Sequence, residues 1–171
     1  EGARLGIRID YSLEDKPLNT IAPLTLIPGL DEPFLVMNGD LLTDLDYRDL
    51  YETHRRGGAI ATVGTCKRHV RLALGVITYD GDRRITGFQE KPEFDYNVSM
   101  GVYIFEPRIL DFIPRGEPFG FDHLMHRLLK AGERVAVYPF DGHWLDMGTP
   151  DELNLAIEEF EAHRDRYMPP A

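Results

Sequence analysis

Several functions are excluded by what the sequence lacks. Its 171 residues hold one cysteine, Cys66, so no disulfide can close within the chain, and the lone thiol suits a reducing cytoplasm. The strand-like neighbours of Cys66 favour a buried structural thiol over a reactive one. No apolar run approaches the ~18 residues that a membrane-spanning helix needs, and no stretch resembles a signal peptide. Positive charge is scarce. Nineteen Lys plus Arg against 29 Asp plus Glu leave a net charge of −10, which argues against a nucleic-acid binder with its basic face. Phosphates stay within reach of such a protein wherever a metal ion or a few local cations supply the positive charge. Repeats, low-complexity tracts and internal linkers are also missing. What remains, at 43% hydrophobic and 28% charged, is the composition of one ordinary globular domain.

Signals for strands and helices alternate along the chain. Gly6 to Tyr11 alternates apolar and polar residues as a half-buried strand does. Leu18 to Ile27 suggests a short helix ended by Pro28-Gly29, and Phe34 to Met37 is an apolar run of strand length. Asp46 offers an N-cap to a helix with Tyr47, Leu50, Tyr51 and His54 on one face, stopped by Gly57-Gly58. Ala59 to Thr65 resumes as a strand. Gly75 to Tyr79 and Arg84 to Phe88 flank Asp80-Gly81, a hairpin signal. Val98, Met100, Val102 and Ile104 alternate along a further strand, which Pro107 ends.

Phe121, Leu124, Met125, Leu128 and Leu129 carry the cleanest helical spacing, which Gly132 stops before a strand from Arg134 to Phe140. Thr149-Pro150-Asp151-Glu152 is a capping box with proline at the first helical position, launching a helix expected to bury Leu153, Ala156, Ile157 and Phe160. The tail from Tyr167 to Ala171 reads as loose. Strands alternating with helices imply an α/β domain with a helix-covered, mainly parallel mixed sheet and one local antiparallel hairpin.

Ligands of open α/β sheets bind beyond the carboxyl ends of the strands. Asp40 stands there, after an apolar strand and an Asn38-Gly39 turn, where a carboxylate suits Mg²⁺ or simply caps the turn. Asp146, in Trp144-Leu145-Asp146-Met147-Gly148-Thr149-Pro150, precedes a capped helix, again as a metal ligand or a helix-entry turn. In Glu90-Lys91-Pro92 the proline removes the pair from the strand, presenting a lysine to a phosphate and a carboxylate to hydroxyls, or leaving both solvated. Gly75 and Gly101 interrupt strands, which calls for a bulge or a close approach. His123 and His126 form no metal signature, and Trp144 serves either as a stacking surface or as a wall.

Taken in order, LGIRIDYSLEDKPLNTIAPL, PFLVMNGDLLTDLDY, GVITYDGDRRITGFQEKP, NVSMGVYIFEPRIL and YPFDGHWLDMGTPDEL cover nearly the whole chain, which resembles the sugar-1-phosphate nucleotidyltransferase family. The resemblance implies a Rossmann-like, three-layer nucleotide-diphospho-sugar transferase fold, with residues 1–171 forming the C-terminal part of a single domain. It implies a cytoplasmic enzyme in which an oxygen of a hexose-1-phosphate attacks the α-phosphate of a nucleoside triphosphate in line, releasing pyrophosphate. Asp40 and Asp146 would hold Mg²⁺, and Lys91 would neutralise the sugar phosphate, these three forming the catalytic set. Gly75, Glu90, Ser99 and Gly101 would bind the hexose, and Asn19, Thr20, Asn38 and Gly39 the nucleotide. The partners implied are the two substrates and a possible second copy of the chain, with neither nucleic acid nor membrane.

Two departures accompany the resemblance. The family opens with a strand, a glycine-rich GxGTR-type loop and a βα unit, and no such stretch occurs here. The 171 residues alone are therefore expected to make no NDP-sugar, and Glu1 is read as other than the gene's start. The family's PLGTAG segment reads Pro17-Leu18-Asn19-Thr20-Ile21-Ala22, which puts close backbone approach to the base in question, and Leu74 replaces an aromatic before Gly75. Two alternatives follow: an impaired relative that binds an NDP-sugar or sugar phosphate, or a metal-dependent glycosyltransferase, against which EKP and LDMGTP argue.

Overall fold

Short apolar runs alternate with capped amphipathic segments, and the computed structural model, which describes residues 2–3 and 6–168, turns them into strands and helices in that order. The strands are β1 (Phe34–Met37), β2 (Leu41–Thr43), β3 (Ala61–Arg71), β4 (Val76–Tyr79), β5 (Ile85–Gln89), β6 (Glu93–Phe105), β7 (Val135–Pro139) and β8 (Trp144–Asp146). The helices are α1 (Tyr47–Gly57), α2 (Phe121–Lys130), α3 (Pro150–Ala162) and α4 (Arg164–Tyr167), with 3-10 turns at Ala22–Leu26 and Pro107–Phe112.

Four strands form one sheet in the order β1-β6-β3-β7, while β2·β8 and β4·β5 are separate antiparallel pairs. The amide of Ile60 donates to Arg134 O and that of Phe140 to Thr65 O, so β3 and β7 advance together and are parallel. Glu106 N–H donates to Ile60 O, whereas His69 meets Asp95, so β6 runs against β3. Asn38 N–H donates to Gly101 O while Phe34 packs on Phe105, so β6 also runs against β1. Three strands thus share a direction and one opposes them: a mixed sheet in an α/β chain.

Two compact units result, one of Glu1–Val36, Arg48–Thr62 and Tyr103–Ala136, the other of Met37–Tyr47, Val63–Val102 and Val137–Ala171. The first unit holds most of the buried apolar side chains, including Leu50, Ile60, Ile104, Phe105, Ile109, Leu124 and Leu128. Its aromatics stack: Tyr103 lies 4.2 Å from Phe121 and 5.5 Å from Phe105, ring centre to ring centre. Helix α1 buries Leu50 and His54, one turn apart. His54 Nδ1 lies 2.8 Å from Thr62 Oγ1 and Nε2 lies 3.2 Å from Glu106 Oε1. Burial holds this imidazole below its ordinary pKa, against the opposing pull of Glu106. Helix α2 ends in a Schellman motif, with Gly132 at φ +72 and Glu133 N–H donating to Leu128 O.

The second unit is more open, with Val63, Met100, Val102, Leu45 and Ala156 as its buried apolar residues. Cys66 is half-buried, and burial pushes its thiol pKa up, as a structural thiol requires. In the β4·β5 hairpin the left-handed residue is Arg83 (φ +64) rather than Gly81, because Asp80 Oδ1 accepts from both Asp82 N–H and Arg84 N–H and so shapes the turn. Thr149 caps α3 by accepting from Glu152 N–H, with Pro150 in the first turn.

Three expectations need correction. Gly6 to Tyr11 is not a strand: Gly6 and Ile7 bond locally to Ala3 O and Gly2 O, and Ile7 and Ile9 are exposed. Alternation prepares a strand, but a ladder partner makes one. The helix expected over Leu18 to Ile27 shrinks to the 3-10 turn, because Asn19 takes a left-handed φ of +68 and Pro23 sits at the turn's start. On α3 only Ala156 is fully buried. Leu153 and Ile157 are 44% and 47% exposed, and Ile157 borders an open cavity of about 290 Å³ lined also by Leu42, Met147 and Phe160. Of the expected loose tail, residues 169–171 lie outside the described residues, and Arg164–Tyr167 is helical.

Candidate active site

The ladder between β2 and β8 carries the two candidate metal ligands. Its register pairs Leu41 with Asp146, Leu42 with Leu145 and Thr43 with Trp144. Beyond one end, Met147 N–H donates to Asp40 O at 2.9 Å, so Asp40 and Asp146 stand on adjoining rungs although 106 residues separate them. The other end is closed twice: Asp44 N–H donates to His143 O, and His143 N–H returns to Asp44 Oδ1 at 2.8 Å. Both carboxylates are exposed, and neither makes a side-chain hydrogen bond or ion pair with another described residue. The would-be Cβ of Gly148 lies 3.4 Å from Asp146 Oδ1, so this carboxylate rests along the backbone that leads to the cap of α3.

Among the described residues no cluster of three or more His, Cys, Asp or Glu side chains could hold a metal unaided. Asp40 and Asp146 are nevertheless exposed carboxylates at neighbouring positions, and since Mg²⁺ takes one or two carboxylates and completes its shell with water and substrate phosphates, they are the residues that could hold it.

Asn38, Ser99 and Gly101 converge beside this ladder. Asn38 N–H donates to Gly101 O at 2.9 Å, and Gly101 N–H donates to Ser99 Oγ at 3.3 Å. Gly101 has φ +73, and a Cβ there would lie 2.7 Å from Asn38 Nδ2. Glycine is therefore needed both for the left-handed backbone and for the approach of Asn38. Gly39 follows at the bend before Asp40.

The β4·β5 hairpin positions the third group. Its register opposes Val76 to Gln89, which carries Gly75 to the level of Glu90. A Cβ on Gly75 would meet the Phe88 ring at 2.7 Å and Glu90 Oε2 at 3.2 Å, so the close approach that this glycine permits is made by those side chains. Lys91 leaves the strand at φ +44, a left-handed conformation that a non-glycine residue adopts at a cost of about 1–3 kcal/mol. Its Nζ lies 3.8 Å from Glu90 Oε1, with both side chains more than half exposed, so the pair is presented to solvent rather than locked together.

Asn19 and Thr20 belong to the first unit. Asn19 holds a glycine-like φ, and its Oδ1 accepts from Thr20 N–H at 2.8 Å. Thr20 Oγ1 accepts from Phe121 N–H, and Ile21 and Ala22 both donate to Phe119 O. Ala22 is fully buried, so its methyl points into the core. Asn19 thus takes a backbone conformation that glycine would also take, and Ala22 is accommodated in the core.

The Asp44–His143 closure and the seat of Trp144 escaped the sequence reading. Trp144 Nε1 donates to Met100 O at 2.9 Å, and the Arg68 guanidinium lies 4.8 Å from its ring centre. Pairings between three-residue strands leave no periodic trace in the sequence.

The profile of the family described as Nucleotidyl transferase matches residues 1–163. A UTP–glucose-1-phosphate uridylyltransferase of Synechocystis sp. is 33% identical over 92% of this chain and 46% of its own length. The mannose-1-phosphate guanylyltransferase catalytic subunit beta of Dictyostelium discoideum is 34% identical over 88% of this chain and 43% of its own. The chain thus spans less than half the length of these relatives. Among solved structures, HddC from Yersinia pseudotuberculosis complexed with GMP-PN matches with a TM-score of 0.61 at 22% identity, over 88% of this chain and 66% of that one, a likeness of fold.

Proposed function

Because the chain belongs to the nucleotidyl transferase family, we propose that the protein joins a nucleoside triphosphate to a hexose-1-phosphate, giving an NDP-sugar and pyrophosphate. The observation that carries this reading is the β2·β8 ladder, which brings Asp40 and Asp146 to adjoining rungs, neither carboxylate having a partner among the described residues. Asp40 and Asp146 would hold Mg²⁺, which would supply positive charge to phosphate oxygens whose negative charge grows in the transition state.

The protein's own groups bind and align. Lys91 meets the sugar phosphate as a point charge, and Glu90 accepts hydrogen bonds from hexose hydroxyls. Ser99 and Gly75 line the hexose, with Gly101, buried and bonded through both its N–H and its C=O, shaping the strand beneath them. Asn38 and Gly39 contact the nucleotide. An oxygen of the hexose-1-phosphate forms a bond to the α-phosphorus as the bond from that phosphorus to the pyrophosphate oxygen breaks. Nothing on the protein need become covalently attached, so rate comes from positioning and electrostatics. The left-handed φ of Asn19 favours an active enzyme over a relative that only binds: asparagine tolerates that conformation better than other non-glycine residues, so the substitution does not distort the segment.

The test is product formation. Full-length protein with Mg²⁺, each common nucleoside triphosphate and each common hexose-1-phosphate should yield one dominant NDP-sugar by mass spectrometry, with stoichiometric pyrophosphate. An intact protein that binds an NDP-sugar yet forms none from any pair would replace the enzyme with a binding protein.

A further inference from the structure

Resting on the function proposed above, we infer that Arg68, stacked on Trp144, is a second phosphate-binding cation of the site, additional to Lys91, and receives the phosphate of the hexose-1-phosphate.

On the outer part of β3, His69 and Arg71 project to one side and are satisfied there: His69 bonds Asp95 at 2.8 Å, and Glu93 lies 3.5 Å from His69 and 3.6 Å from Arg71. Arg68, just before His69 and in phase with Cys66 and Val70, projects to the other side. It makes no hydrogen bond or ion pair with any other described residue. Unlike Arg8, Arg71, Arg108 and Arg166, each of which meets a carboxylate, it is left uncompensated. What Arg68 has instead is the indole of Trp144 at 4.8 Å.

That seat is rigid and well placed. Trp144 cannot turn freely, because Nε1 donates to Met100 O. Two residues further along β8 comes Asp146, which therefore projects from the same face as Trp144. Stacking occupies the flat face of a guanidinium and leaves its N–H edge open, and that edge matches two oxygens of a phosphate. A carboxylate ligand of a metal, an indole and an open guanidinium thus follow one another on one side of β8. Lys91, by contrast, has the Glu90 carboxylate 3.8 Å away. A phosphate dianion needs more positive charge than that lysine offers, and Arg68 supplies it.

Calorimetric titration of the full-length protein with glucose-1-phosphate or mannose-1-phosphate, in Mg²⁺, tests the assignment, with inorganic phosphate, free hexose and a nucleoside triphosphate as separate arms. Loss of a charged hydrogen-bonding group should weaken hexose-1-phosphate binding about tenfold or more in Arg68→Gln, with a smaller loss in Arg68→Lys. Free hexose should bind alike in all three, and triphosphate affinity should move less than twofold. In steady-state kinetics Arg68→Gln should raise KM for the hexose-1-phosphate by a similar factor while KM for the triphosphate holds. Equal hexose-1-phosphate affinity in parent and Arg68→Gln overturns the inference, as does absence of binding to the parent. An Arg68 dependence confined to the triphosphate arm overturns the ligand assigned. The two proposals fail separately: normal NDP-sugar synthesis with an unchanged KM in Arg68→Gln removes the subsite alone. Arg68-dependent binding without any NDP-sugar synthesis removes the function alone.

Discussion

Gly101→Ala probes the join between backbone and site. The residue sits at φ +73, where an L side chain costs about 1–2 kcal/mol through the clash of Cβ with the following carbonyl. The new methyl would also stand 2.7 Å from Asn38 Nδ2, 3.0 Å from Asn38 Cγ and 3.3 Å from Leu41 Cδ1. The first two contacts are too close to survive, so the Asn38 side chain must leave its rotamer at about 0.5–1.5 kcal/mol. Together these terms predict a loss of about 1.5–3.5 kcal/mol, read as a lower urea midpoint at unchanged m-value. A double-mutant cycle isolates the second term. In the Asn38→Ala background the methyl has room, so Gly101→Ala should cost about 0.5–1.5 kcal/mol less there. Because Asn38 lies two residues before Asp40, the single variant should also weaken Mg²⁺-dependent turnover more than it weakens the fold. A Gly101→Ala protein within about 0.5 kcal/mol of the parent, or additivity with Asn38→Ala, would refute the reasoning.

Lys91→Ala should raise KM for the hexose-1-phosphate with a smaller fall in kcat, since its phosphate contact exists in ground and transition states alike; steady-state kinetics read the split. Glu90→Gln should shift relative kcat/KM among hexose-1-phosphates more than KM for the triphosphate, measured across a sugar-phosphate panel. Below its ordinary pKa near 6.5, His54 takes a proton more readily unfolded than folded. Its contribution is therefore full above about pH 6.5 and is lost as pH falls from there toward its depressed folded value. His69 has the opposite sign, its pKa raised by the hydrogen bond to Asp95. The difference in urea midpoint between parent and His54→Gln from pH 8 to pH 5 should shrink on the acid side, and a pH-independent difference would contradict the buried neutral imidazole.

Legibility followed local chemistry. The caps at Thr149-Pro150 and Gly132, the helix α2 and the Asp80 turn all declare themselves within a few residues and stand in the structure, although Leu129 of the α2 stripe is exposed. Gly6 to Tyr11 and the outer stripe of α3 carried correct periodicity, but periodicity names a face without supplying what covers it. The site divides the same way. Asp40, Lys91 and Asp146 were visible as polar residues at element ends, whereas the ladder joining the first to the third comes from two three-residue strands about a hundred residues apart. Such a pairing leaves no local trace. Arg68 was silent for another reason: its meaning lies in the carboxylate it lacks, beside neighbours that have theirs.

The central claim is that Asp40 and Asp146 hold the metal on which transfer depends. Pyrophosphate release by the full-length protein, measured against Mg²⁺ concentration for the parent and for Asp146→Asn, tests it most directly. The exchange keeps the shape of an exposed side chain that bonds to no other described residue, so folding should be unchanged. Metal charge stabilisation is worth several kcal/mol in the transition state, so the account predicts a fall in kcat of orders of magnitude with a rightward shift in Mg²⁺ dependence. An Asp146→Asn protein with the parent's kcat and the parent's Mg²⁺ curve would contradict it.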